Sequence, residues 1–299
     1  MRTLCLGEAL VDLVCHEPAA GLAQAPSFVP HHGGATANVA VACVRHGGRA
    51  ALAGGAGADG WGQWLRERLE REGVDLTWFS LVEGAQTPIA FVTVDEQAQP
   101  TFSIYGEGIA TGIRSVADRI DEAVEACDAL FLASNTLVGE DERELTLGAH
   151  AKALELGRPV LLDPNLRIAR WPSAARAVEE TRPLVKGAFL VKCNATEAHL
   201  LTGERDPDAA ARAMLAGGAR HVVVTLGQDG ALLRGGKLDR DVPGRVARAV
   251  DTTGAGDAFM GVLLARLSAS GFYAPAIAAA LRDAVDVAAR TTEHWGALG

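Results

Sequence analysis

The sequence predicts an α/β protein, a mostly parallel β-sheet covered by helices on both faces. Two features predict it. Short apolar runs alternate with longer amphipathic stretches from Thr3 to Arg290, the pattern of repeated strand–helix units. The chemically distinctive residues Glu8, Asp12, Asp163, Asn165, Asn194 and Gly227 follow those apolar runs. Sheets of this class bind ligands there, outside the carboxyl ends of their strands.

In chain order, the apolar runs Thr3–Leu6, Ala50–Ala53, Ala129–Ala133, Pro159–Leu162, Phe189–Lys192 and Val222–Leu226 read as strands. The amphipathic stretches Thr36–His46, Gly62–Glu72, Val116–Cys127, Asp141–Leu156 and Ala174–Val185 read as helices between them. Ala195–Leu201, Asp208–Gly217, Ala255–Ser268 and Ala274–Arg290 complete the helices. Two segments break the alternation. Val11–Val29 and Pro88–Tyr105 look extended and have no crossover helix of their own. The second holds two strand-like runs around a polar turn, a hairpin signature. Both are expected to form a small sheet beside the main one, acting as a lid. The whole chain, 1–299, is read as a single domain with lid strands within 11–30 and 88–106.

Hydrophobic residues make up 48% of the 299 positions, enough for a sizeable core, and charged residues 22%, which argues against overall disorder. The net charge of −9 argues against a nucleic-acid-binding face and against docking on anionic lipid. Five scattered cysteines without a CxxC pair make a disulfide framework or zinc ribbon unexpected. No long apolar span or signal-peptide pattern is read, so the chain is expected to be soluble and cytoplasmic.

Several motifs carry chemistry. Gly55-Ala-Gly57-Ala-Asp-Gly60 fits GxGxxG, with Asp75 near the spacing of a ribose-binding acid. It falls in the second strand–helix unit of a Gly-rich chain, so it reads as a tight turn with close helix packing. No GxxxxGK[ST] loop occurs, so phosphate must be held otherwise. Asp251-Thr-Thr-Gly-Ala-Gly-Asp257 leads into the apolar stretch Met260–Leu267. Gly254, Ala255 and Gly256 place small residues where a helix starts. Its unpaired N–H groups and dipole make an anion hole. Asp257, in the first turn, could accept a proton from an attacking hydroxyl, or be an ordinary N-terminal helix acid. Gly33-Gly34-Ala-Thr-Ala-Asn38 suits close approach to a sugar, with Asn38 both donor and acceptor; an ordinary glycine turn fits it too. Asp12 would bridge two hydroxyls or cap a turn.

Together these segments resemble the ribokinase/PfkB family of carbohydrate kinases. Gly33–Gly62 is similar to its N-terminal signature and Asp251–Leu264 to its C-terminal one, with LVKCNATE (Leu190–Glu197) and TLGQDGA (Thr225–Ala231) between them in the family order. The resemblance implies a Rossmann-like α/β/α ribokinase-type domain with a small β-sheet lid. It implies Asp257 as catalytic base and Gly254, Ala255 and Gly256 as the anion hole. Asp12, Gly33, Gly34 and Asn38 would hold the sugar, with Asn165 and Arg167. Asn194 and Glu197 would organise Mg²⁺ (or Mn²⁺) through water and the phosphates of ATP. Lys192 would neutralise phosphate charge, and Thr225 and Gly227 would line the nucleotide site with Gly254 and Gly256. Asp251 and Thr253 match positions of a monovalent-cation site, with K⁺ as the expected occupant. Gly296 and Ala297 approximate an adenine-side element.

Glu8-Ala-Leu-Val-Asp12 and Leu162-Asp163-Pro-Asn165-Leu-Arg167 look most like fructokinases, and the second motif also occurs in 2-keto-3-deoxygluconate kinases. Both groups often carry Tyr-Arg near the second hairpin strand, where this chain reads Tyr105-Gly106-Glu107. The expected substrate is a neutral hexose, fructose, phosphorylated on a primary hydroxyl. Alternatives are 2-keto-3-deoxygluconate, ribose or a nucleoside, or a non-catalytic sugar or nucleotide sensor. Partners would be sugar and ATP, without nucleic acid or membrane, and the exposed lid sheet suits a homodimer.

Overall fold

Runs of four or five apolar residues are too short for a stable helix and find their backbone partners as strands. The computed structural model describes residues 1–106 and 108–299. The chain opens with β1 (Thr3–Leu6), β2 (Leu10–Val14), β3 (Val29–Gly33), α1 (Ala35–Arg45), β4 (Ala50–Gly57) and α2 (Gly60–Arg71). It continues through β5 (Phe79–Val82), β6 (Ile89–Val94), β7 (Pro100–Tyr105), α3 (Gly108–Arg114), α4 (Ile120–Glu125), β8 (Ala129–Ala133) and α5 (Glu140–Glu155). Then come β9 (Val160–Asp163), α6 (Ala174–Val185), β10 (Leu190–Asn194), α7 (Ala195–Thr202), α8 (Pro207–Ala216) and β11 (Val222–Thr225). The last elements are β12 (Gly230–Arg234), β13 (Arg240–Pro243), α9 (Ala255–Ala269) and α10 (Pro275–Thr291).

Among the described residues the larger sheet has the order β13-β12-β11-β10-β9-β8-β1-β4-β5. It is parallel from β11 to β5, and β12 and β13 extend it antiparallel. Alternate residues point to opposite faces. Cys5, Leu52, Phe131 and Leu161 pack with Val39 and Val41 of α1, Met260 of α9 and Leu281 of α10. Leu4, Leu130, Leu132 and Leu162 pack on the other face with α4 to α8. The smaller sheet, order β3-β2-β6-β7, is the lid.

Several elements differ from the sequence reading. The chain from Cys15 to Phe28 is irregular, with one 3₁₀ turn at Leu22–Gln24, and the second lid strand is Val29–Gly33. Pro18, Pro26 and Gly21 in that stretch remove donors and loosen the backbone. The helix expected over Val116–Cys127 is a 3₁₀ turn followed by the short α4, and α3 precedes it. Helix α3 carries Gly108 and Gly112, a weak helical signal. Gly112 is required there because a Cβ would collide with the Gly55 carbonyl. Strands β5, β12 and β13 lie beyond the expected set. Of Tyr105-Gly106-Glu107, Glu107 lies outside the described residues.

The GxGxxG segment does not form a phosphate-binding turn. Gly55 and Gly57 lie within β4, where a Cβ on Gly55 would come within 2.6 Å of the Ser80 carbonyl. Asp75 pairs with Arg2 at 2.6 Å and caps Thr77. Close backbone packing explains these glycines.

Candidate active site

Helix α9 begins at a residue only glycine fills. Gly254 has φ 73°, and a Cβ there would collide with the Ala297 carbonyl. Ala255, Gly256 and Asp257 are therefore the first three helical residues. The N–H of Ala258 makes the bond back to the Gly254 carbonyl at 2.8 Å. The N–H groups of Gly256 and Asp257 precede that bond and face outward, where the helix dipole adds positive potential. Gly261, one turn on, packs against α1: a Cβ there would lie 2.8 Å from Cys43 N. This close crossing brings α1 and α9 together one turn earlier as well, at Asn38 and Asp257.

Asn38 Nδ2 donates to Asp257 Oδ2 at 3.0 Å, both side chains being buried. Burial pushes the Asp257 carboxyl up to about 7, against the Asn38 hydrogen bond and the charges of Arg167 and Lys192. Asp12, from lid strand β2, is also pushed up to about 7, by burial and then by the charge of Asp257. Gly33 lies against Asp12: a Cβ would overlap its carboxylate. Gly34 has φ 93°, and a Cβ there would come 2.6 Å from the Glu8 carbonyl oxygen. These two glycines thus let β3 and α1 close onto Asp12 and Glu8.

On the other side of Asp257, Lys192 Nζ donates to Asp163 Oδ2 at 2.7 Å, and both side chains are almost fully buried. Burial alone would lower the lysine, but Asp163 and Glu197 hold it above its ordinary value. A Cβ on Gly256 would lie 2.8 Å from that ammonium, so Lys192 borders the first turn of α9 directly. Asn194 caps α7: its side chain accepts from Glu197 N, and Glu197 Oε2 accepts from Asn194 N at 3.0 Å. Glu197 Oε1 accepts from Leu166 N at 2.8 Å. Each Glu197 oxygen therefore keeps lone-pair capacity beside one backbone bond. Among the described residues no cluster of three metal-ligating side chains occurs. This donor set fits Mg²⁺ bound mainly by water and phosphate.

Three cavities line up along this site. Thr225, Gly227, Arg245, Thr252 and Gly256 border one of about 560 Å³. Asp163, Lys192, Asn194, Thr252, Gly256 and Asp257 border the second, of about 420 Å³. Asp12, Gly34, Asn38, Arg167, Gly254 and Asp257 border the third, about 50 Å³, roofed by the lid residues Phe102 and Ile104. Thr252 and Gly256 join the first to the second, and Gly254 and Asp257 join the second to the third. Asn165, expected among the sugar contacts, lines the middle cavity instead. Its φ of 42° turns the chain after β9, and its N–H donates back to Asp163 Oδ1. Arg167 lines both the middle and the third cavity, over the Phe102 ring.

Asp251 ties the loop before α9 to the C-terminal segment. Its Oδ1 accepts from Thr253 N at 2.8 Å and its Oδ2 from Gly296 N at 2.9 Å. Thr253 Oγ1 is buried and has no hydrogen-bond partner. A fully buried carboxylate beside an orphaned hydroxyl oxygen fits a monovalent cation. Gly296 and Ala297 are near this loop, not among the residues lining the 560 Å³ cavity.

The arrangement puts the N-terminus of α9 and the Lys192 ammonium between a cavity of about 560 Å³ and a small pocket where burial raises the Asp257 carboxyl. Residues 2–298 match the pfkB family carbohydrate kinase profile. This chain belongs to the pfkB family of carbohydrate kinases. The kinase is 34% identical to fructokinase-2 of Solanum habrochaites over 262 residues, 87% of this chain and 80% of that one. It is 36% identical to fructokinase-1 of Oryza sativa subsp. japonica, over 87% of this chain and 81% of that one. Among solved structures it is similar to the fructokinase of Vibrio cholerae O395 bound to fructose, ADP and calcium ion. That likeness has a TM-score of 0.85 and 30% identity, covering 99% of this chain and 94% of the other. The aminoimidazole riboside kinase of Salmonella enterica, with aminoimidazole riboside and an ATP analog, gives a TM-score of 0.82 at 27% identity, covering 100% and 95%.

The kinase also places in its site residues that the sequence reading had not assigned. Asn135 and Arg170 line the small pocket, and Gln97 and Gln99 of the lid hairpin line the large cavity. Asn135 could have been found by the rule that found Asp163, since it is a polar residue just past an apolar strand. The other three stand in turns with no such signal.

Proposed function

We propose that this carbohydrate kinase transfers the γ-phosphoryl group of ATP to the primary hydroxyl of a neutral hexose, converting fructose to fructose 6-phosphate. The observation that carries the reading is Asp257, held by Asn38 at the junction of the phosphate-side cavity and the small pocket. Asp257 takes the hydroxyl proton, and the sugar oxygen forms its bond to the γ-phosphorus as the bond to the bridging oxygen breaks and ADP departs. The N–H groups of Gly256 and Asp257 and the Lys192 ammonium receive the charge on the transferring group. Asp12 and Asn38 hold sugar hydroxyls. Thr225 and Gly227 border the nucleotide, and Asn194 and Glu197 would hold Mg²⁺ through water. The metal, when bound, screens the phosphate charge. Asp251 and Thr253 would hold K⁺ beside the anion hole. The fructokinase relatives support the choice of sugar.

Two guanidiniums, Arg167 and Arg170, line the small pocket, and they favour a second reading in which a carboxylated sugar such as 2-keto-3-deoxygluconate is the acceptor. A panel of sugars at equal concentration, compared by kcat/KM, separates the two. If 2-keto-3-deoxygluconate outranks fructose by about tenfold, roughly 1.4 kcal/mol at the transition state, the second reading replaces the first. The exposed lid residues Val29, Ile104 and Tyr105 suit pairing of two copies through the lid, which sedimentation tests. Among the described residues no helix is long and apolar enough to cross a membrane.

A further inference from the structure

Arg170 ends the 3₁₀ turn Ile168–Arg170 and lines the acceptor pocket. Its Nη1 donates to Asn135 Oδ1 at 3.1 Å. Asn135 Nδ2 donates in turn to Glu8 Oε1 at 2.9 Å. Glu8 also accepts from Ala35 N at 3.0 Å and from the Thr36 hydroxyl at 3.4 Å. Asn135 is therefore fixed in orientation, and Glu8 is occupied by three protein donors. A guanidinium has five N–H donors; Arg170 gives one of them to Asn135 and itself lines the pocket.

The two arginines of the pocket serve different ends of it. Arg167 lines the middle cavity as well as the small one, at the Asp257 end, whereas Arg170 lines the small one alone. The charges acting on Arg170 are those of Glu8 and Glu142, and Glu142 is already paired with Arg114 at 2.6 Å. Glu8 lines the same pocket one hydrogen bond beyond Asn135, so the guanidinium shares that end with a carboxylate. We propose that Arg170 is a specificity-determining residue, donating to the sugar oxygens at the end opposite the phosphorylated hydroxyl. In a ketohexose phosphorylated at C6 these are the oxygens on C1 and C2. The inference rests on the ketohexose reading above. A buried donor left unpaired by a missing hydroxyl penalises the wrong substrate strongly.

The test compares kcat/KM for fructose, 1-deoxyfructose and 2,5-anhydromannitol, the last two lacking the C1 and C2 hydroxyls respectively. Wild type is expected to favour fructose over at least one analogue by about tenfold or more. Arg170→Leu should bring that ratio within about twofold, mainly through KM for fructose. Arg170→Lys, which keeps the charge and loses the planar fork, should fall between. Each ratio is taken on one preparation, so loss of folded protein cancels. If wild type treats the three sugars alike, or Arg170→Leu keeps the wild-type ratio, the role of Arg170 is overturned while the ketohexose reading stands. If wild type phosphorylates none of the three, both are overturned.

Discussion

The Ala98 carbonyl accepts two hydrogen bonds from Thr252, one from its N–H and one from its hydroxyl, each at 3.0 Å. Ala98 is the tip of the lid hairpin, held at φ 61° while Asp95 Oδ1 accepts the N–H groups of Gln97 and Gln99. Thr252 stands two residues before the glycine that starts α9. The lid is thus latched to the loop that leads into α9. The small pocket of about 50 Å³ lies beneath that lid, bordered by Phe102 and Ile104, and the latch holds the lid over it.

Thr252→Val removes the hydroxyl bond and keeps the backbone one. A neutral hydrogen bond is worth about 1 kcal/mol, so kcat/KM for the sugar should fall roughly fivefold, with Thr252→Ser close to wild type. Steady-state kinetics of the two variants checks this. Equal rates for Val and Ser would mean the latch contributes nothing to turnover.

Asp257→Asn keeps size and removes the proton acceptor. Turnover should fall by at least about 10²-fold, with sugar affinity by calorimetry little changed. In the wild type, kcat/KM should rise with pH along a limb centred near 7, where Asp257 ionises. Stability runs the other way. The folded chain keeps the Asp257 proton up to about pH 7, whereas an unfolded aspartate releases it near pH 4. Wild-type stability attributable to this group therefore declines as pH rises across that window and is flat above it. The Asn variant should melt about 2 °C or more above wild type at pH 8, and show no such gain at pH 4. A gain of the same size at both values would sink the ionisation argument.

Lys192→Met leaves Asp163 buried without its cation. Removing one partner of a buried pair costs about 3–5 kcal/mol, and the anion hole loses an adjacent positive charge. Denaturant unfolding should show a lower midpoint at pH 7, and kcat should fall even at temperatures where the variant stays folded. Unchanged turnover in the folded variant would remove Lys192 from phosphate neutralisation.

Activity should require Mg²⁺ or Mn²⁺ and vanish in EDTA. Glu197→Gln places an amide nitrogen against one of the N–H groups of Leu166 and Asn194. The capping box should weaken by about 1 kcal/mol, and the Mg²⁺ needed for half-maximal rate should rise. Full activity in EDTA would overturn the metal reading. For the monovalent cation, equal rates in K⁺ and in a bulky organic cation would remove Asp251 and Thr253 from that role.

The sequence alone determined those features that depend on near neighbours in the chain. Apolar runs of strand length, amphipathic stretches and the small residues at 254–256 are each set by local propensity and capping, so β8, α1, α6 and the start of α9 were legible. The hairpin of β6 and β7 was legible from its turn. Elements whose local signal is weak were not: α3 carries two glycines, and β12 and β13 continue the sheet only because β11 offers them an edge. Tertiary structure alone decided what meets at the site. Asn38 and Asp257 are 219 residues apart and Glu8 and Asn135 127 apart, and no local pattern encodes those distances. Their contacts exist because Gly261 lets α9 cross α1 closely and because β1 and β8 are parallel neighbours, delivering their carboxyl ends to one edge. Arg170 gained its place in the same way. A turn arginine reads as solvated until packing puts Asn135 beside it and a pocket in front of it.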